Sequence, residues 1–320
     1  MQKMDEIDKK IMFEIDKNSR RSINEISKIL KLKKDTVAYR IKQLEDNKII
    51  QGYYTVIDYS KLGYILLRYY VKFQNTTLEL EEEIINHLVN SKSIFTVYKT
   101  EGDWDLALGF LVKSLEEFNN ILINFQEKYK KYMHSHNVAI FIEYIQYLKN
   151  YLVEEKLRDH SGIIIGKSQK TEIDELDIKI LKEISKNAKF SLIELSKKLN
   201  LSSMALIYRI KQLEKKKVIL SYKALIDYTK LNYEYYKIDL DIEDITKLKQ
   251  LQQFAKNHPN IIFEDRTIGS SDFEFDAELQ GYDAFYNLIK EIKIKFPGIL
   301  RTYKYYKAKK IYKYIYFPEE

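Results

Sequence analysis

The seven residues YRIKQLE occur twice in this chain, at Tyr39 to Glu45 and again at Tyr208 to Glu214. Chance identity would leave the flanks unrelated. Set back by 169 positions, however, the second occurrence matches the first outward without a gap: from Ile7 to Tyr64 against Leu176 to Tyr233, 29 of 58 positions are identical. Most of the rest are exchanges such as Ile26 for Leu195, Val37 for Leu206 and Ile49 for Val218. Similarity on that scale marks one folding unit present twice. The period is too long for a solenoid, so the unit is a whole domain or more.

Within the unit, Ile7, Ile11, Phe13 and Ile15, matched by Leu176, Ile180, Leu181 and Ile184, predict a first helix. Ser22 with Glu25 is a capping box that starts a second helix, Ile23 to Leu30, and Ser191 with Glu194 repeats it. A tight turn at Lys31-Leu32 leads into a third helix from about Lys33 to Asn47, with Val37, Ile41 and Leu44 inward. Three helices with the last two so closely joined form a helix-turn-helix. The β-branched and aromatic stretch Ile49 to Ile57 then predicts a short hairpin or wing.

The texture changes beyond Leu62. Strands are expected at Tyr64 to Phe73, Ile94 to Thr100, Trp104 to Val112 and Val138 to Leu148, and helices at Leu78 to Asn90 and Leu115 to Tyr132. That order is βαββαβ, a ferredoxin-like arrangement. The second copy repeats it in Tyr233 to Leu240, Ile245 to Asn257, Ile261 to Thr267, Phe273 to Leu279, Tyr282 to Lys295 and Ile299 to Phe317. Between the copies, polar Lys156 to Thr171 is a linker to which Gly162 to Ile165 could add a short strand.

Composition sets the outer bounds. With 320 residues, 45% of them hydrophobic, and only 3 Pro and 9 Gly, the chain has folded composition and room for several domains. It has no cysteine, which excludes disulfides, thiolate metal sites and a cysteine nucleophile and fits a reducing cytoplasm. The N-terminal MQKMDEIDKK lacks a signal peptide's apolar stretch. No apolar run approaches the roughly 18 residues of a membrane helix, so a cytoplasmic protein without a membrane partner is expected. The balance of 54 Lys+Arg against 47 Asp+Glu, net +7, permits nucleic-acid binding without demonstrating it.

Taken in order, the helix-turn-helix and wing, the joint Ile-Asp-Tyr-x-Lys-Leu (Ile57 to Leu62, Ile226 to Leu231) and the βαββαβ unit with its Gly-x-x-Asp hairpin resemble the Lrp/AsnC, or feast/famine, transcription regulators. The resemblance covers nearly the whole chain, twice. It implies an α+β fold with two winged helix-turn-helix domains, 1–60 and 172–229, each followed by a ferredoxin-like (RAM-type) domain, 61–155 and 230–320, around a linker at 156–171. Family members with one copy dimerise through the βαββαβ domain, so this chain is expected to be an intramolecular pseudo-dimer, with a homodimer of the fused chain left open.

Such a regulator binds double-stranded DNA by laying its third helix in the major groove. The outward positions are Lys33, Lys34, Thr36, Tyr39, Arg40 and Gln43. Arg and Gln suit guanine and adenine edges, and the lysines suit phosphates. In copy two the same positions hold Ser202, Ser203, Ala205, Tyr208, Arg209 and Gln212. Both lysines are gone, which predicts weak or altered DNA contact with Lys215 to Lys217 in reserve. Met204 and Ile207, in place of Asp35 and Ala38, widen the apolar stripe, either as extra core or as a surface for another protein or half-site. At the turn, Lys31 and Asn200 stand where the family usually has Gly, at a cost of roughly 1 kcal/mol if Lys31 keeps a positive φ.

The resemblance also implies an amino-acid effector site at the hairpins, Thr100, Gly102, Asp103 and Asp105 in one copy and Thr267, Gly269, Ser270 and Asp272 in the other. The plainer reading is that Gly and Asp build turns. A paired architecture of this kind resembles siroheme decarboxylases too, whose chemistry needs His and Arg around tetrapyrrole carboxylates. The five histidines, His87, His134, His136, His160 and His258, share no repeat-equivalent position. His134 and His136 lie on one strand face but lack a third metal ligand. No enzyme, cofactor or metal site is therefore expected. The aromatic residues Phe141, Tyr144, Tyr147, Tyr151, Tyr303, Tyr305, Tyr306, Tyr312, Tyr314 and Tyr316 are expected at the sheet contact between copies.

Overall fold

The computed structural model describes residues 4–315 and 317. Residues 1–3, 318–320 and Tyr316, one of the aromatics expected on the last strand, lie outside the described residues. The first copy runs α1 (Glu6–Lys17), α2 (Ile23–Leu30), α3 (Lys34–Asp46), β1 (Ile50–Ile57), β2 (Ile65–Phe73), α4 (Leu78–Val89), β3 (Ile94–Gly102), β4 (Leu106–Val112), α5 (Leu115–Tyr129) and β5 (Met133–Tyr147). A short β6 (Gly162–Gly166) lies in the linker and pairs with β5. The second copy repeats the order as α6 (Glu175–Lys186), α7 (Leu192–Lys198), α8 (Ser203–Lys215), β7 (Ile219–Ile226), β8 (Glu234–Ile242), α9 (Leu248–Asn257), β9 (Ile261–Ile268), β10 (Phe273–Leu279), α10 (Gly281–Lys295) and β11 (Leu300–Tyr314). Among the described residues no helix is long and apolar enough to cross a membrane.

Local chemistry sets the helix ends as the sequence predicts. Ser22 accepts the Glu25 amide while Glu25 accepts the Ser22 amide, closing the capping box, and Ser191 accepts the Glu194 amide. Lys31 and Asn200 both take the left-handed conformation, with φ of 56° and 53°.

The wing takes a different form from the one expected. Ile50–Ile57 makes no hairpin: it is one strand, paired antiparallel with β7 of the other copy. Gly52 supplies a register slip rather than a turn, and a strand that does not fold back leaves its amides and carbonyls open to the equivalent segment of its twin. The bonds around this ribbon are reciprocal. Ser19 N donates to Tyr222 O at 2.8 Å and Ala188 N to Tyr53 O at 3.0 Å; Asp58 N donates to Val218 O at 3.0 Å and Asp227 N to Ile49 O at 2.8 Å. Each pair exchanges partners across the repeat, the signature of a two-fold interface within one chain. The core of the first helix-turn-helix accordingly includes Ala224 and Ile226, and that of the second includes Val56 and Ile57.

The βαββαβ units also join. Strand order is β2-β4-β3-β11-β8-β10-β9-β5, and β5 returns to pair with β2, so eight strands close on themselves. The two seams between copies are β3–β11 and β5–β9. Helices cover the outside: Ile84, Leu88 and Phe125 pack on Leu67, Tyr69 and Val71, while Leu251, Phe285 and Leu288 pack on Ile238, Leu240 and Phe275. Strand alternation then turns the neighbouring residues, Arg68, Tyr70, Lys237, Asp239, Glu274 and Asp276, to the inside.

Candidate nucleic-acid interface

Helix α3 presents Lys33, Lys34 and Tyr39 exposed, with Thr36 and Gln43 half-buried. Among the described residues neither lysine has a carboxylate partner. Lys33 is the N-cap residue and makes no side-chain capping bond, leaving the first amides of α3 open toward an anion. Arg40 is placed otherwise. Its Nη1 donates to Asp5 Oδ2 at 2.7 Å and to Asp8 Oδ1 at 2.8 Å, and Arg209 does the same to Asp174 and Asp177, both at 2.8 Å. Each guanidinium thus fastens the third helix of its unit to the start of the first, α3 to α1 and α8 to α6. The signal was in the sequence, since Asp5/Asp174 and Asp8/Asp177 stand at the same distances from the two arginines.

Copy two is capped rather than charged. Ser202 Oγ accepts the Ala205 amide at 3.1 Å and Ser203 Oγ meets Ser196 Oγ at 3.3 Å, so both serines serve the helix-turn-helix itself. Tyr208 is exposed and Gln212 half-buried. Met204 is 76% exposed, so it does not add to the core.

The hairpins are joints between the copies. Gly102 has φ 126°, and a Cβ there would stand 2.6 Å from Tyr305 O; Gly269 has φ 91°, and a Cβ would stand 2.6 Å from Val138 O. Both glycines are required where one copy's backbone crosses the other's. Asp103 accepts the Tyr305 amide at 2.7 Å, Asp105 accepts Lys72 and the Phe73 amide, and Asp272 accepts the Ile242 amide at 2.9 Å. Thr100 Oγ1 donates to Trp104 O, and Thr267 Oγ1 donates to Glu274; Ser270 is half-buried beside them. Each of the three carboxylates thus accepts bonds from within the chain. His134 and His136 lie exposed at the start of β5, and a His136 ring nitrogen sits 2.8 Å from Lys130 Nζ.

Inside the closed strands, Lys237 is wholly buried with Asp265 at 2.8 Å, Glu274 at 2.9 Å, Asp239 at 3.4 Å and Asp276 at 3.7 Å. Arg68, its repeat equivalent, reaches across the seam to Asp265 at 3.1 Å. Burial pushes the Asp239 and Asp276 carboxyls up from their ordinary value of 3.8, against the pull of Lys237. Arg68 pairs across the ladder with Gly109 where Lys237 pairs with Asp276. Small residues in one copy and acids in the other leave a cavity of about 360 Å³ between the barrel interior and the β1–β7 ribbon. The legible trace was Phe-Glu-Phe-Asp-Ala-Glu-Leu at 273–279, alternating acids in a strand buried on both faces.

Residues 4–51 and 173–219 match a family profile described as winged helix-turn-helix DNA-binding. The chain is 33% identical over 119 residues to the HTH-type transcriptional regulator FL11 of Pyrococcus horikoshii, covering 37% of this chain and 78% of that protein. It is 34% identical over the same length and shares to FL11 of Pyrococcus furiosus. Among solved structures, the siroheme decarboxylase NirDL superposes on 98% of this chain and 94% of its own with a TM-score of 0.67 at 14% identity, a likeness of fold.

Proposed function

The chain belongs to the Lrp/AsnC family of winged helix-turn-helix transcriptional regulators, as two family units in one DNA-binding polypeptide, and from that premise we propose that α3 is its principal reading helix. The observation that carries this is the pair of exposed lysines at the uncapped start of α3. They suit phosphates on the groove edge, with Tyr39, Thr36 and Gln43 following along the helix toward the bases. Helix α8 lacks both cations, uses Ser202 as its cap and holds Ser203 against Ser196 of α7, so it contributes a weaker, mostly uncharged contact.

Lys33→Ala with Lys34→Ala tests the assignment on a duplex selected from a random pool. Affinity is expected to fall at low salt, and the slope of log affinity against log salt to shrink by about two units. An unchanged slope removes α3 from the DNA.

An enzymatic role like that of the structurally similar decarboxylase has less support. None of the five histidines lines the internal cavity, and its one arginine, Arg68, is held by Asp265. A tetrapyrrole's carboxylates would meet more acids than bases there.

A further inference from the structure

The charge around the internal cavity does not balance. At one end Lys149 pairs with Glu278 at 2.5 Å and Lys223 lies 3.3 Å from Asp16, so each ammonium has its carboxylate. At the other end four buried carboxylates, Asp239, Asp265, Glu274 and Asp276, face two cations, Arg68 and Lys237. Asp276, 1% exposed and lining the cavity, accepts the Tyr235 hydroxyl on Oδ2, while its Oδ1 lies 3.7 Å from Lys237 and accepts no hydrogen bond. Buried carboxylates in excess of their cations are costly unless something else compensates them. The walls beside it are aromatic: Tyr98, Phe141, Tyr144, Tyr235 and Phe263 from the strands, with Tyr54 from the ribbon.

We propose that this cavity binds a small organic ammonium ion, its charge against Asp276 and Asp265 and its apolar body among the rings. Aromatic faces attract a desolvated cation, and an eight-stranded closure leaves room for one small ligand. The volume lies at the lower end of small-molecule sites. Inorganic cations fit less well, because most of the wall offers rings rather than oxygens. The roof of the cavity is the ribbon, through Gln51, Tyr54, Ala224 and Leu225, and the ribbon joins the two helix-turn-helix units. An occupant would therefore bridge barrel and ribbon and bear on how the reading helices are held, a consequence that rests on the regulator reading above.

The test uses the full chain without DNA, so its outcome is independent of the DNA assignment. Calorimetry with benzylammonium, benzyl alcohol and benzoate separates charge from shape. Benzylammonium is expected to bind saturably, benzyl alcohol about tenfold more weakly and benzoate not at all. Asp276→Asn should weaken benzylammonium by about tenfold while raising the Tm of the empty protein, because it removes surplus buried charge. Tyr144→Leu, which trims the wall and keeps the carboxylates, should also weaken it. Equal binding of the alcohol, displacement by millimolar Mg²⁺, no heat with any probe, or indifference to both substitutions would overturn the proposal.

Discussion

Arg40 shows how one residue can carry two readings, one from its helix position and one from the spacing of its aspartates. On the outward edge of a recognition helix, an arginine suits guanine; with aspartates 35 and 32 positions earlier, it suits a helix joint, and the structure has the second arrangement in both copies. Asp5 is also the N-cap of α1, accepting the amides of Ile7 and Asp8, so the guanidinium closes a network that already orders the helix start. Replacing Arg40 by Gln should lower stability by about 1 kcal/mol in urea unfolding, since one part-buried and one exposed charge-assisted bond are lost. The salt slope of DNA binding should stay near that of the parent. A large drop in affinity with unchanged stability would return Arg40 to the bases. A long cationic side chain reaches as far inward along the helix surface as outward, and in the free chain the positions of Asp5 and Asp8 draw it inward.

At the scale of elements, most of the architecture was legible because its periodicities are local. Capping boxes, apolar helix faces and strand alternation place α1 to α10 and the βαββαβ order within a few residues. The β1–β7 ribbon was not, because Ile50–Ile57 looks the same whether its partner is itself folded back or its twin 169 positions away. The same limit hid the cavity: Gly109 and Asp276 are unremarkable until the ladder sets them opposite Arg68 and Lys237. Helices α3 and α8 also differ as elements. Ser202 caps α8, whereas Lys33 stands uncapped at α3, a local stability loss that fits the phosphate contact proposed for α3. Lys33→Ser should therefore raise thermal stability by about 1 kcal/mol and reduce the DNA salt slope by about one unit, read in parallel by calorimetric unfolding and salt titration. A rise in stability with no change in slope would make the missing cap incidental.

For the molecule as a whole, the duplication matters because neither copy completes its own core. Each helix-turn-helix takes strand residues from its twin, and the barrel closes only through β3–β11 and β5–β9. Three ladders, β1–β7, β3–β11 and β5–β9, join the copies, so covalent continuity between them should be dispensable once the chain has folded. Beyond β6 the linker is held by a few bonds, Ser168 to Asp58 at 2.8 Å and Thr171 N to Lys61 O at 2.8 Å, while Gln169 and Lys170 are exposed. A protease site inserted between Gln169 and Lys170 should be cut readily. The two fragments are then expected to co-elute in size-exclusion chromatography at the position of the intact 38.4 kDa chain, and to part only in denaturant. Fragments that separate under native conditions would mean that the linker, rather than the ribbon and the two seams, holds the copies together. Antiparallel pairing along three separate ladders, each with a buried apolar flank, makes the joined outcome the expected one.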